Sequence, residues 1–125
     1  MKKFEDKIVL SASDLVGHLN CHFLTKLDYD FATGLRGPPK DDSLHAEAIR
    51  RLGYAHEERF VSYLREKFER VETVENGPIT AETVARTIEL MESGADIIVQ
   101  AAFDNGIWRG KADICLLYTS PSPRD

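Results

Sequence analysis

The chain has 125 residues, 42% of them hydrophobic and 30% charged, which suits one globular domain with a modest core and excludes a disordered polyelectrolyte. The 16 Lys and Arg against 21 Asp and Glu leave a net charge of −5, so no global basic field draws the chain onto nucleic acid. No run approaches the roughly 18 apolar residues of a membrane span and the first residues lead into no signal-peptide core; with only Cys21 and Cys115 as thiols, the expectation is a reduced, cytoplasmic protein.

In chain order, Ile8-Val9-Leu10 gives way to Ser11-Ala12-Ser13-Asp14, where Ser11 and Asp14 have the spacing of a helix capping box. Leu15, Leu19, Phe23, Leu27 and Phe31 recur every four residues and predict one core helix ending near Gly34. Gly37-Pro38-Pro39 and Lys40-Asp41-Asp42 predict an exposed loop, because two prolines remove backbone donors beside a flexible residue. A second helix is expected from Leu44 to about Val71, with Ile49, Leu52, His56, Phe60, Leu64 and Phe68 on one face. Val71 to Glu75 reads as a short strand, and Asn76-Gly77-Pro78 turns the chain into a third helix capped by Thr80 and ending at Gly94.

The apolar run Asp96 to Phe103 and the run Ile107 to Leu117 flank Asp104-Asn105-Gly106, the strongest hairpin signal in the chain. Strict alternation places Trp108, Gly110, Ala112, Ile114 and Leu116 on one face and Arg109, Lys111, Asp113 and Cys115 on the other. The final Tyr118-Thr119-Ser120-Pro121-Ser122-Pro123-Arg124-Asp125 breaks every earlier pattern. It resembles the translated adapter that terminates many reading frames assembled from environmental DNA, so residues 118–125 are expected to be a non-native tail.

Two segments carry candidate chemistry: Gly53-Tyr54-Ala55-His56-Glu57 on the second helix and Gly110-Lys111-Ala112-Asp113-Ile114 on the last strand. Taken singly, a histidine on an apolar helix stripe is more often a hydrogen-bonded core residue, and a strand aspartate more often an outward polar position. In this order, they resemble the RecB-like nucleases of the PD-(D/E)xK superfamily, which include the CRISPR-associated exonucleases. Leu10-Ser11-Ala12-Ser13-Asp14-Leu15, Cys21 and Gln100-Ala101 also look like features of these domains, so the resemblance spans residues 1–117.

The resemblance implies an α/β fold, a partial restriction-endonuclease-like core of three helices with a small mixed sheet ending in a β-hairpin. It implies His56 and Asp113 as metal ligands, Asp113 being the catalytic one, with Gly53, Glu57 and Gly110 framing them. Phosphodiester hydrolysis needs a cation that polarises the phosphoryl oxygen and activates water. Carboxylates with one imidazole suit Mg²⁺ or Mn²⁺. The family pattern then requires an acidic residue, any residue and a lysine on a following strand, where this sequence has only its tail. The expected function is thus the front part of a metal-dependent DNA exonuclease of repair or defence, itself inactive, with DNA as partner and a helicase or RNase H-like domain in the parent. The alternative is a non-catalytic nucleic-acid-binding or interaction domain.

Cys21 matches the position where some of these relatives place the first ligand of an iron–sulfur cluster, and a half-buried thiol is the plainer reading. His18 and His22 have a spacing that can bind Zn²⁺, although nothing else completes a tetrahedral site. Arg50, Arg51, Arg59, Arg65, Lys67 and Arg70 could contact phosphate, but the glutamates among them make a solvated helix face the simpler account.

Overall fold

In a computed structural model, residues 1–38 and 44–117 are described. The expected loop from Gly37 to Asp42 lies mostly outside the described residues, and the expected tail, 118–125, wholly so. The elements are β1 (Lys2–Phe4), β2 (Lys7–Val9), α1 (Ala12–Asn20), α2 (His22–Ala32), α3 (Leu44–Lys67), β3 (Val71–Thr73), α4 (Ala81–Glu92), β4 (Ile97–Asp104) and β5 (Arg109–Leu116). The three-helix partial nuclease core expected from the sequence does not hold. The described residues form a small α/β arrangement of four helices with one two-stranded sheet and one three-stranded sheet, β3-β4-β5.

The extra helix comes from a break at Cys21, whose backbone is extended at φ −157° and ψ 107°. Its N–H donates to the Gly17 carbonyl at 2.9 Å, while its own carbonyl accepts from Leu24 N–H at 2.9 Å. One residue therefore closes α1 and opens α2. Gly17 lets Leu24 lie against α1, since a Cβ there would come within 3.1 Å of Leu24 Cδ2. The break destroys the four-residue stripe as a core: Leu19 is 72% and Phe23 62% exposed, and neither helix has a buried residue.

The chain divides into two compact units, Met1–Asp42 with Phe103–Gly110, and Ser43–Ala102 with Lys111–Asp125. In the first, β1 pairs antiparallel with β2, Lys2 facing Val9 and Phe4 facing Lys7. Leu10 follows; its N–H donates to the Ile107 carbonyl and its carbonyl accepts from Arg109 N–H, both at 2.8 Å. Asp14 accepts from the Ser11 backbone N–H at 2.7 Å, which ties down the start of α1. At the tip of the β4–β5 hairpin, Asp104 accepts from Gly106 N–H and from Arg109 Nε, each at 2.8 Å. The Arg109 guanidinium also lies 4.5 Å from the Phe4 ring centroid.

In the second unit, β3 pairs with β4 in parallel, Val71 facing Ile97 and Thr73 facing Val99. Apolar side chains fill both faces of the sheet. One cluster joins Val74, Leu90, Ala95, Ile98 and Ala101, with Ala112, Cys115 and Leu117 packed on it. The other joins Leu64, Ile97 and Val99, with Val61, Val71 and Ile114. The first is the α4 side, the second the α3 side. Thr87 of α4 is fully buried; its hydroxyl donates to the Thr83 carbonyl and accepts Ala102 N–H, both at 2.9 Å.

Strict alternation fails in both hairpin strands. Ala112 belongs to the α4-side cluster and Ile114 to the α3-side cluster, so they do not share the face expected of them. In β4, Val99 and Ala101 are likewise on opposite sides, and the intervening Gln100 has φ +58°. Each strand carries one residue beyond the two-residue period, the arrangement of a β-bulge, which re-aims side chains near it. The α3 stripe is corrected as well: Leu64 is buried, but Ile49 and Leu52 are about 70% exposed. No helix among the described residues is long and apolar enough to cross a membrane.

Candidate functional site

The second unit gathers its polar side chains where α3 lies along the bulged part of the hairpin. Glu57 comes from the middle of α3, one residue after His56. Gln100 comes from the left-handed position of β4 and Asp113 from the irregular stretch of β5. The Gln100 Nε2 amide donates to Glu57 Oε1 at 2.7 Å and to Asp113 Oδ1 at 3.4 Å. One neutral side chain thereby stands between two carboxylates, with a short, partly buried bond to Glu57 and a long, exposed contact with Asp113.

Two neighbouring grooves share these carboxylates. One, of about 560 Å³, is lined by Tyr54, Glu57, Arg65, Asn76, Gln100 and Asp113 among others. The second, of about 510 Å³, is lined by Arg50, Gly53, Tyr54, His56, Glu57, Phe60, Asp113 and Ile114. His56 and Asp113, the pair singled out in the sequence, therefore face one groove. Gly53 is part of that lining and Gly110 is not.

The basic groups near this surface are largely committed elsewhere. Lys111 Nζ donates to the Glu75 carbonyl at 3.3 Å, so its ammonium is held by a backbone oxygen and not by Asp113. Arg65 donates to Thr73 Oγ1 at 3.2 Å, and Arg70 is taken up by Ser93 and Glu72. Arg50 pairs with Glu47 at 3.2 Å, an exposed pair between residues three apart on the helix that is worth little. The run of basic residues read as a possible phosphate surface is thus mostly a set of local pairs, with Arg50 on the groove of Tyr54 and Phe60 and Arg65 on the neighbouring groove with Tyr54.

The donor set fits a divalent cation poorly. Mg²⁺ and Mn²⁺ ask for about six ligands, mostly oxygen. Among the described residues, no group of three or more His, Cys, Asp or Glu is placed to hold a metal ion. The position between the two carboxylates is filled by an N–H donor, which no cation accepts as a ligand. Cys21 is exposed at the α1–α2 break and Cys115 is half-buried, and no cluster of metal-binding side chains forms around either among the described residues. His18 and His22 stack with ring centroids 4.4 Å apart, and His18 Nδ1 is engaged with Thr25 Oγ1 at 2.7 Å. That is a packing arrangement at the helix break, and no third metal-binding side chain joins it among the described residues.

Sequence reasoning placed Glu57 only as a frame for His56 and Gln100 only as part of a resemblance. The signal that could have found both is a long polar amide inside the buried run Ile97 to Ala102, since such a group needs a partner. Thr87 was missed because a threonine within a helix gives no pattern that distinguishes a buried hydroxyl from a solvated one. Comparison of the chain with protein-family models, with curated proteins and with solved structures gives no match in any of the three.

Proposed function

We propose that this chain is a non-catalytic nucleic-acid-binding domain that receives a DNA strand on the α3 face. The observation that carries the reading is the groove where Arg50 and His56 stand beside Tyr54 and Phe60. Tyr54 is 68% exposed and its ring is open to stacking, while Phe60, 43% exposed, already stacks on the Tyr63 ring with centroids 6.1 Å apart. Bases stacked on aromatic side chains contribute about 1–3 kcal/mol each, without regard to sequence, and a neighbouring guanidinium pairs with the backbone phosphate. Glu57 and Asp113 oppose the strand's charge, and the Gln100 amide moderates that opposition without supplying a catalyst. A lysine free to approach the phosphate is lacking among the described residues of this groove, since Lys111 is held at Glu75.

A labelled single-stranded oligonucleotide in low salt tests the proposal by fluorescence anisotropy. Binding should be saturable, fall with added salt as phosphate contacts are screened, and weaken about tenfold or more in Tyr54→Ala, as lost stacking requires. Arg50→Ala should weaken it and flatten its salt dependence. Binding equal in wild type and both variants would exclude this face.

A second reading, the front part of a Mg²⁺- or Mn²⁺-dependent DNA nuclease, is favoured by one specific observation: His56, Glu57 and Asp113 line the same groove. In that reading His56 and Asp113 are the first metal ligands of a parent protein, Asp113 the catalytic one. A helicase or RNase H-like partner domain and a cluster bound through Cys21 belong to the same parent. The third ligand and the lysine would have to come from outside the described residues. Cleavage in Mn²⁺ that disappears in Asp113→Ala would favour it over binding alone.

A further inference from the structure

We propose that Gln100 is an amide latch: it stands in for a cation between Glu57 and Asp113 and holds α3 to the hairpin without metal. Three features of the chain support this. The Nε2 group reaches both carboxylates, at 2.7 and 3.4 Å, from a different strand than Asp113 and a different element than Glu57. Its orientation follows from charge, because turning the amide over would set a carbonyl oxygen against two anionic groups. Its backbone is at φ +58°, a conformation that Gly and Asn adopt with ease and Gln does not.

The third feature is the informative one. Val99 and Ala101 on either side are buried, on opposite faces of the sheet, so the flanking packing fixes the strand and Gln100 cannot relax alone. A strained position filled by a residue ill suited to it points to a use for the side chain. That use is visible: the bulge turns a strand residue out of the alternation and toward α3, where its amide donates to the half-buried Glu57 at 2.7 Å and reaches the exposed Asp113 at 3.4 Å. The latch replaces one kind of electrostatic bridge by another. A cation would bring a positive charge and demand more oxygen ligands, whereas the amide brings two N–H groups and demands none.

This inference does not depend on DNA binding, and its test contains no nucleic acid. Free Mn²⁺ is followed by electron paramagnetic resonance during titration of the full chain, as wild type, Gln100→Glu and Gln100→Ala, alongside thermal melting of each with and without Mn²⁺. Wild type should take up Mn²⁺ weakly and melt at the same temperature in its presence. Gln100→Glu, which turns the bridge into a third carboxylate, should bind Mn²⁺ at least about tenfold more tightly and be stabilised by it. Gln100→Ala should melt a few degrees lower, as loss of a bridging side chain in a domain of this size implies, and recover part of that loss with Mn²⁺.

The latch is overturned if wild type binds Mn²⁺ as tightly as Gln100→Glu, or if Gln100→Ala melts like wild type and ignores Mn²⁺. Should either Gln100 variant fail to fold, the native Gln100 amide, read in wild type and in Asp113→Asn, still decides. The Gln100 side-chain amide protons should exchange slowly and shift on Asp113→Asn. Fast exchange at the rate of a free glutamine, with no shift in that variant, overturns the proposal.

Discussion

Thr87 is the best single-residue gauge of the second unit's core. Its hydroxyl accepts the buried Ala102 N–H at 2.9 Å, so Thr87→Val keeps the shape and removes that acceptor. The expected loss is about 1–3 kcal/mol, read as a fall in the urea midpoint with an unchanged slope; no change would mean that Ala102 finds water. Asp104 gives a prediction in pH. Its carboxyl is held below the ordinary carboxylate range by the Gly106 N–H and then by Arg109. A depressed folded value means that its stabilisation is fully present above the unfolded value and is lost as pH falls through the folded one. The hairpin tip should therefore loosen only in acid, seen as faster exchange of the Gly106 amide proton below the ordinary carboxylate range. Asp104→Asn should remove that pH dependence, and a persistent acid transition in the variant would refute the assignment.

Among the elements, those marked by local chemistry were legible. Thr80 does cap α4, accepting Thr83 N–H at 3.2 Å, and the hairpin turns where Asp104-Asn105-Gly106 said it would, with Asn105 N–H on the Trp108 carbonyl at 3.1 Å. What periodicity could not report was a break that preserves it. Leu19 and Phe23 keep their spacing of four across Cys21, although the helix between them has ended and both side chains are exposed. Bulges were hidden for the same reason, since Val99-Gln100 and Asp113-Ile114 look like ordinary alternating pairs. The juxtaposition of Glu57, Gln100 and Asp113 depends on those bulges and was legible only in part, through the carboxylates and not the amide between them. Gly17 offers a test of the break. Leu24 is 39% exposed and can give the few tenths of an ångström that a new Cβ requires. Gly17→Ala should therefore stabilise α1 by about 0.5–1 kcal/mol through helix propensity. A lowered melting temperature would show that Leu24 is held rigidly over Gly17.

For the molecule as a whole, a net charge of −5 sets the terms on which any nucleic acid is bound. In the proposed reading, association has no long-range attraction to draw on and rests on the local set Arg50, Tyr54, His56 and Phe60. Locally, Glu57 and Asp113 lie on either side of the Gln100 amide, which donates to both. The two units contribute differently: the second has both apolar clusters and the grooves, while the first leaves Leu15, Val16, Leu19 and Phe23 exposed on α1 and α2. The claim that joins these observations is binding without cleavage. It is tested most directly by incubating the chain with an end-labelled single-stranded DNA in Mn²⁺ and reading, from one sample, both anisotropy and strand length. The account predicts raised anisotropy and intact strands in wild type and in Asp113→Ala alike. Strands shortened by wild type and left intact by Asp113→Ala would contradict it.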